Sequence, residues 1–484
     1  MIARLLSFCA LTLSIVMNLA AQQTDDRIVV VSDPHLLAPQ LTSPGSAAFS
    51  RLADGESKLV AHSDAIIDAL ADTIDAVKPR LLLLTGDLTY NGERASHDYL
   101  VERLRRIASK GVLPLVIPGN HDINNPKAKS FAGGEAQPAA TVTRDEFARL
   151  YSEFGYGLPS TERDPASLSY SCRPLPGLMV LGIDSNRDRE NLLTSRGDSV
   201  DRYINGGRVS PETVQWIARQ TRLARRDGLK VIAMMHHHLV EHIDGQARML
   251  PNHIVASHDS LTQALLDAGV HVVFTGHLHI TDAANAFYTD TITDVAVGSL
   301  STYPFPLRVV TLSADRSQAD ISTSFLSLPA LEADGKRQAA KAVPGVVGLM
   351  VSKLWGRVER ELPRLKPMLA QYGISADALP ASAEAATALG LRHLSGPLTE
   401  SLLAVTRGGE TDERADSIVH DITEGVSSLI REVMPSRADL MIPFVLENVF
   451  PRFKPYLDSA LRDRNRVGTP FESSTPDHRL KIKL

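Results

Sequence analysis

The chain is expected to fold as an α/β domain followed by an all-helical region. Three observations predict this. Short apolar runs ending in polar clusters recur from residue 27 to 279, helical spacing fills the intervals between them, and beyond about residue 330 the strand-like runs stop while helical spacing continues.

The chain starts with MIARLLSFCALTLSIVMNLAA, which has one early Arg, an apolar run from Leu5 to Val16 and small residues at Ala20 and Ala21. That is the pattern of a secretory signal cut near Ala21, which predicts a secreted or periplasmic protein starting at residue 22. The run is shorter than the ~20 residues a bilayer helix needs, so no transmembrane span is expected once it is removed. Only Cys172 then remains, and one thiol forms no internal disulfide.

The strand-like runs are RIVVVSDPH (27–35), PRLLLLTGDLTYNG (79–92), VLPLVIPGNHD (112–122), GLMVLGIDSN (177–186), LKVIAMMHHH (229–238) and VHVVFTGHLH (270–279). Between them Ile66, Ile67, Leu70, Ile74 and Val77 fall at helical spacing, and the stretch from Tyr99 to Ile107 continues the theme. Thr143 and Glu146 form a capping-box start, and Ser210-Pro211 opens another helix with Pro where its missing N–H costs nothing. Farther on, Ile418, Ile422, Val426, Leu429 and Val433 mark a clear amphipathic helix, whereas Pro363 and Pro367 should kink or divide the stretch before it. The expected organisation is therefore a signal at 1–21, an α/β domain at 22–329, a helical domain at 330–465 and a loose, charged tail at 466–484.

A length of 484 residues allows two or three domains, and 43% hydrophobic with 22% charged residues is ordinary globular composition. The formal charge of −5 and the lack of a basic block interleaved with aromatics argue against a dedicated nucleic-acid surface. A small phosphate ester fits better than a polymer backbone.

Five of the runs end in groups that bind metals or phosphates: Asp33 and His35; Gly86 and Asp87; Gly119, Asn120, His121 and Asp122; the triplet His236, His237 and His238; and Gly276, His277 and His279. Open α/β sheets bind their ligands beyond the carboxyl ends of strands, so five such endings in order predict one site. Carboxylate, imidazole and amide oxygen suit Mn, Fe or Zn, and a pair of such ions can clamp a phosphoryl group. Asp87 is the best-placed carboxylate to bridge such a pair. Singly, Asp33 could be a helix cap, Asp87 a turn former, and His277 and His279 surface residues.

The segments DPH (33–35), GDLTYNG (86–92), GNHD (119–122), MHHH (235–238) and GHLH (276–279) resemble the signature motifs of the calcineurin-like metallophosphoesterase superfamily, especially its cyclic-nucleotide and phosphodiester-cleaving branch. The resemblance spans residue 27 to about 315. It implies a four-layer αββα sandwich of two mixed sheets flanked by helices. It also implies two divalent metal ions: one held by Asp33, His35, Asp87 and His279, the other by Asp87, Asn120, His277 and one histidine of the triplet. A hydroxide bridging the ions would attack phosphorus, His121 would stabilise or protonate the departing group, and Asp122 would orient the His121 ring.

Within the triplet the resemblance favours His236 as the ligand. His237 would face the other way if the strand stays extended, and His238 would line the pocket rim. GDLTY also matches the spacing at which purple acid phosphatases place an iron-binding tyrosine, but with His35 present Tyr90 reads as a pocket wall. His242, His253 and His258 follow the triplet and are candidates to line the pocket. The long segments 36–57 and 123–140 each follow a metal motif, where specificity usually resides.

The functional expectation is a metal-dependent phosphodiesterase acting on a small diester. The alternatives are a phosphomonoesterase or protein phosphatase with the same metals, or a binding or scaffold protein whose helical domain meets a protein partner and whose metal site is vestigial.

Overall fold

Two mixed β-sheets stacked face to face form the centre of the protein in a computed structural model that describes residues 26–189, 205–371, 380–464 and 477–484. The strands are β1 (Asp26–Val31), β2 (Leu81–Leu84), β3 (Leu113–Val116), the short pair β4 (Lys129–Ser130) and β5 (Gln137–Pro138), β6 (Glu162–Arg163), β7 (Tyr170–Leu175), β8 (Leu178–Ile183), β9 (Lys230–Met235), β10 (Val272–Thr275), β11 (Asp282–Phe287), β12 (Thr291–Ala296), β13 (Pro306–Leu312), β14 (Gln318–Phe325) and β15 (Arg479–Lys483). One sheet has the order β15-β14-β13-β1-β2-β3 and the other β11-β12-β10-β9-β8-β7-β6. The parallel stretches, β1-β2-β3 and β8-β9-β10-β12, are the ones whose ends carry the polar motifs.

Side-chain alternation builds the layers. On β8 and β9, Leu178, Val180, Ile232 and Met234 belong to the core shared with the first sheet. Their neighbours Met179, Leu181, Val231, Ala233 and Met235 face the other way, onto Trp216, Ile217, Leu261 and Leu265 of the covering helices. Helices α2 (Ser63–Val77) and α3 (Arg94–Ala108) contribute Ile66, Leu70, Leu100 and Leu104 to the first core, and α5 (Pro211–Arg226) and, after the short α6 (Gln246–Met249), α7 (His258–Asp267) supply the second. The capping box forms as expected: the Thr143 hydroxyl accepts from Glu146 N and the Glu146 carboxylate accepts from Thr143 N, opening α4 (Arg144–Leu150). The long segments after the first and third motifs are ordered, by helix α1 (Ala47–Gly55) and by the β4-β5 pair, which share a small core of Leu37, Leu41, Ala48, Tyr90 and Phe131.

Beyond β14 the chain is helical: α8 (Glu332–Gln371), α9 (Ala383–Arg407), α10 (Asp412–Val433), α11 (Ala438–Asn448) and α12 (Lys454–Arg462). Ile418 and Ile422 of α10 pack with Ala404, Ala415 and Leu461 in a separate, smaller core. Two expectations are corrected. Pro363 and Pro367, with Pro344, lie inside one continuous helix instead of dividing it. The final residues are not a loose tail, because Arg479–Lys483 pairs antiparallel with β14, its Leu480 and Ile482 buried and its charged residues exposed. The proposed signal and residues 466–476 lie outside the described residues. Among the described residues, no helix is long and apolar enough to cross a membrane.

Candidate metal centre

The five motifs converge. Asp33 and His35 follow β1, Asp87 follows β2, Asn120 and His121 follow β3, His236 follows β9, and His277 and His279 follow β10. Asp33, His35, Asp87, His277 and His279 all have φ between 42° and 71°. That left-handed conformation costs roughly 1–3 kcal/mol per residue and bends the chain sharply enough to turn each side chain back over the strand end. Glycines allow the close packing: a Cβ on Gly119 would lie 2.1 Å from Asp87 Oδ1, and one on Gly276 would lie 2.5 Å from Asp33 Oδ2.

Two ligand groups meet at Asp87. Its Oδ2 lies 3.6 Å from His35 Nε2, on the side where His35 Nε2 faces His279 Nε2 at 3.3 Å and His279 Nε2 lies 3.3 Å from Asp33 Oδ1. Its Oδ1 lies 3.4 Å from His236 Nε2, which is 3.0 Å from Asn120 Oδ1, and His277 completes this second cluster. These donors could hold two cations with Asp87 between them. The arrangement fits that use, because Asp33 Oδ1 is buried without a hydrogen bond and two imidazole nitrogens face each other, a contact a shared cation relieves. Electrostatics agree. Burial depresses the His236 ring, yet Asp87 and Asp33 outweigh it and raise it to about 9. Burial likewise raises Asp87, but His236, His121 and His35 hold it well below the usual carboxylate range.

Surrounding bonds choose the nitrogen each ring presents. His236 Nδ1 is 2.9 Å from the Thr85 carbonyl, so Nδ1–H donates there and Nε2 faces Asp87. His277 Nε2 donates to the Asn252 carbonyl at 3.0 Å, leaving Nδ1 as its free donor atom. His121 Nδ1 is held by the Tyr90 carbonyl at 2.8 Å and Asn91 Oδ1 at 3.0 Å, and its Nε2 lies 3.9 Å from Asp87 Oδ2.

The triplet separates just beyond the end of β9 at Met235. His236 continues the inward parity of Ile232 and Met234. His237 offers neither nitrogen to the cluster, with Nδ1 2.8 Å from Ser185 Oγ and Nε2 donating to the Asn205 carbonyl at 3.0 Å, while its ring lies 4.5 Å from that of His277. His238 does not line a rim: it is fully buried, accepts from Gln246 Nε2 at 3.0 Å and has its ring 4.3 Å from that of His242, tilted by 55°. Asp122 is a second correction. Its carboxylate accepts from Gly119 N, Leu88 N, Thr89 N and Thr89 Oγ1 at 2.7–3.0 Å, clamping the second motif to the third, while Tyr90 and Asn91 orient His121.

The Tyr90 hydroxyl donates to Glu56 Oε2 at 2.7 Å, and burial followed by the Glu56 charge keeps it protonated. His253 stacks on His277 at 4.9 Å, whereas His242 is buried in an ion pair with Asp282 and Asp294. Residues not foreseen are Asn205, whose Oδ1 accepts from Asn120 Nδ2 at 3.3 Å, together with Ser185, Asn91 and Asn252. Asn205 and Asn252 come from loops without a motif of their own, whereas Asn91 lies inside GDLTYNG and Ser185 near the end of the fourth strand-like run, where nothing local marks their roles.

The chain is similar to several known proteins. The serine/threonine-protein phosphatase CPPED1 of Pongo abelii is 25% identical over 246 residues, covering 49% of this chain and 66% of that protein, slightly under two thirds of the relative's length. A dimetal phosphatase structure from Danio rerio aligns over 62% of this chain and 96% of its own, with 13% identity and a TM-score of 0.43. The NAD nucleotidase (NadN) of Haemophilus influenzae aligns over 63% of this chain and 50% of its own, with 12% identity and a TM-score of 0.32. The profile described as Calcineurin-like phosphoesterase matches residues 26–281, which is more than half of the chain and includes all five strand-end motifs, and the chain belongs to that family.

Proposed function

We propose that this phosphoesterase hydrolyses a small phosphodiester, with Asp33, His35, Asp87 and His279 holding one divalent cation and Asp87, Asn120, His236 and His277 the other. The observation that carries this reading is Asp87, whose two oxygens face two separate histidine clusters. When bound, such cations supply Lewis acidity toward phosphoryl oxygens and a nucleophilic hydroxide at neutral pH. The chain does the rest. Thr85, Asn252 and Tyr90 fix ring tautomers through their carbonyls, and Asp122 locks the second and third motifs in register. His121, with Nδ1 held, can carry a proton on Nε2 toward the leaving oxygen.

The diester preference is supported by the motif set, which resembles the diester-cleaving branch. The printed activity of the CPPED1 relative favours the second reading, a phosphomonoesterase that includes protein substrates. Export through residues 1–21 is part of the proposal. Initial rates on an aryl phosphodiester and its matching monoester, after chelation and then with manganese restored, separate the readings. Metal-dependent turnover faster on the diester supports the first, the reverse order supports the second, and no turnover of either sinks both in favour of a binding protein.

A further inference from the structure

The two buried carboxylates at the ends of β1 and β2 are held in different ways. Both oxygens of Asp87 face histidines. Those of Asp33 are divided. Its Oδ2 accepts from the Ser32 hydroxyl at 2.5 Å and from His277 N at 3.0 Å, whereas its Oδ1 is buried, accepts no hydrogen bond among the described residues and lies 3.3 Å from His279 Nε2. One oxygen is thus engaged by the chain and the other is left for a cation.

The Ser32 hydroxyl is itself held by Thr85. Strands β1 and β2 run parallel with Val31 opposite Leu84, so the next residues along, Ser32 and Thr85, come to lie side by side just past the paired segment. Thr85 Oγ1 is 2.7 Å from Ser32 Oγ, and Ser32, Asp33 and Thr85 are all fully buried. The count of protons sets the direction. An ionised carboxylate only accepts, so Ser32 gives its single hydroxyl proton to Asp33 and receives that of Thr85. The 2.5 Å separation from Asp33 is that of a hydroxyl bound to a charged oxygen. Gly276 closes the remaining side, since a Cβ there would lie 1.9 Å from Ser32 Oγ. The carbonyl of Thr85 meanwhile accepts from His236 Nδ1 at 2.9 Å. One residue therefore touches both ligand groups, Asp33 through its hydroxyl and Ser32, and His236 through its main chain.

We propose that Ser32 and Thr85 are positioning residues whose hydroxyls form a directed relay, Thr85 to Ser32 to Asp33, that makes Asp33 a one-oxygen ligand of the first cation. The relay occupies Oδ2 and stops the carboxylate from rotating, so Oδ1 stays aimed at the side where His35 and His279 converge. The inference rests on the two-cation reading of the site and not on which ester is hydrolysed.

The test is calorimetric titration of manganese into the chelated full chain, for wild type, S32A, T85V, D33A and the S32A/D33A double variant. Electron paramagnetic resonance separates lone from paired ions, and the melting temperature is recorded alongside. Expected in S32A is a roughly ten- to hundredfold weaker affinity for one of the two ions, the range for loss of an outer-shell partner, with the other within about threefold of wild type. T85V keeps the carbonyl that holds His236, so it should weaken the same ion by a smaller factor and leave the other unchanged. Adding S32A to D33A should change neither affinity further, because the hydroxyl acts through that carboxylate. Hydroxyls that merely satisfied each other in the core would lower the melting temperature without distinguishing the ions. Both affinities of S32A within about twofold of wild type overturn the inference, as do equal weakening of both ions or a further loss in S32A/D33A. If S32A does not fold, T85V decides: selective weakening of one ion supports the relay, and two unchanged affinities overturn it. A wild type that binds two manganese ions but turns over no ester, combined with the selective loss in S32A, leaves the relay standing and removes the hydrolase reading. A wild type that binds fewer than two ions removes the two-cation reading and the relay with it.

Discussion

The sandwich and the helical region solve different problems with the same chain. In the sandwich a continuous core runs from Ile28 to Leu484, and polar groups collect where parallel strands stop. The helical region has a core of a few residues around Ile418 and Ile422 and leaves Leu440, Phe444 and Phe453 about half exposed. It is joined to the sandwich largely by polar contacts, such as Thr281 N to Val405 O at 2.9 Å, Thr281 Oγ1 to Thr406 O at 2.7 Å and Asp244 N to Ser459 Oγ at 2.8 Å. The lesson is that chemistry in this protein is concentrated where backbone strain and buried charge are tolerated by a large core. The smaller core should govern local stability and have little effect on turnover.

The sharpest way to break that contrast is D87A. It should lower turnover by about a thousandfold or more, since several kcal/mol of charge stabilisation go with the shared carboxylate, while circular dichroism shows the fold retained. Near-normal turnover would remove Asp87 from the bridging position. Next in size is I418A in α10, which should cost about 2–5 kcal/mol by leaving a cavity in the smaller core. Hydrogen exchange should show the loss confined to α9, α10 and α12, with turnover per folded molecule within about twofold of wild type. A proportionate fall in activity would mean the two regions are coupled.

Acid should probe the sandwich next. His97 is buried against Tyr151 and the Asp122 carbonyl, and burial pushes its pKa down to about 4 from an ordinary 6.5. Its folded pKa lies below the unfolded one, so the stability it shares in is intact above pH 6.5 and lost as the pH falls from 6.5 toward 4. The loss amounts to roughly 3 kcal/mol at most. Urea midpoints of wild type and H97Q across that window check this, since the variant should lose less on acidification. The smallest expected effect is H237A. This residue stands one position from His236 but turns away toward Ser185 and Asn205, so it should weaken binding of the second metal by about ten- to a hundredfold, the range for an outer-shell partner. Metal content after dialysis measures it, and loss as complete as in H236A would reverse the assignment within the triplet.

Much of this was readable from the chain because ligand types at strand ends are both compositionally and positionally unusual. The strands, the covering helices and the convergence of Asp33, His35, Asp87, Asn120, His236, His277 and His279 follow from that pattern. What escaped depends on contacts between segments distant in sequence. Asp122 sits beside His121 in the chain, but the turn aims its carboxylate at the N–H groups of Leu88 and Thr89. His238 was misjudged because the strand's alternation ends at Met235, after which the chain folds onto Gln246. The strand Arg479–Lys483 does carry a period-two signal, with Leu480 and Ile482 between charged residues, but charge on an edge strand looks like a solvated tail when its partner is unknown.

That last strand changes how the whole polypeptide must be assembled. Because β15 returns to β14 after α8–α12, the helical region is an excursion within the first sheet and not an appendage to it. A nascent chain can form β1, β2, β3 and the active-site loops early. The backbone edge of β14 stays open until β15 has been synthesised, and an open edge invites pairing with another chain. Excising residues 332–464 with a short linker should therefore give a better-behaved protein than truncating after residue 329, which removes the closing strand along with the helices.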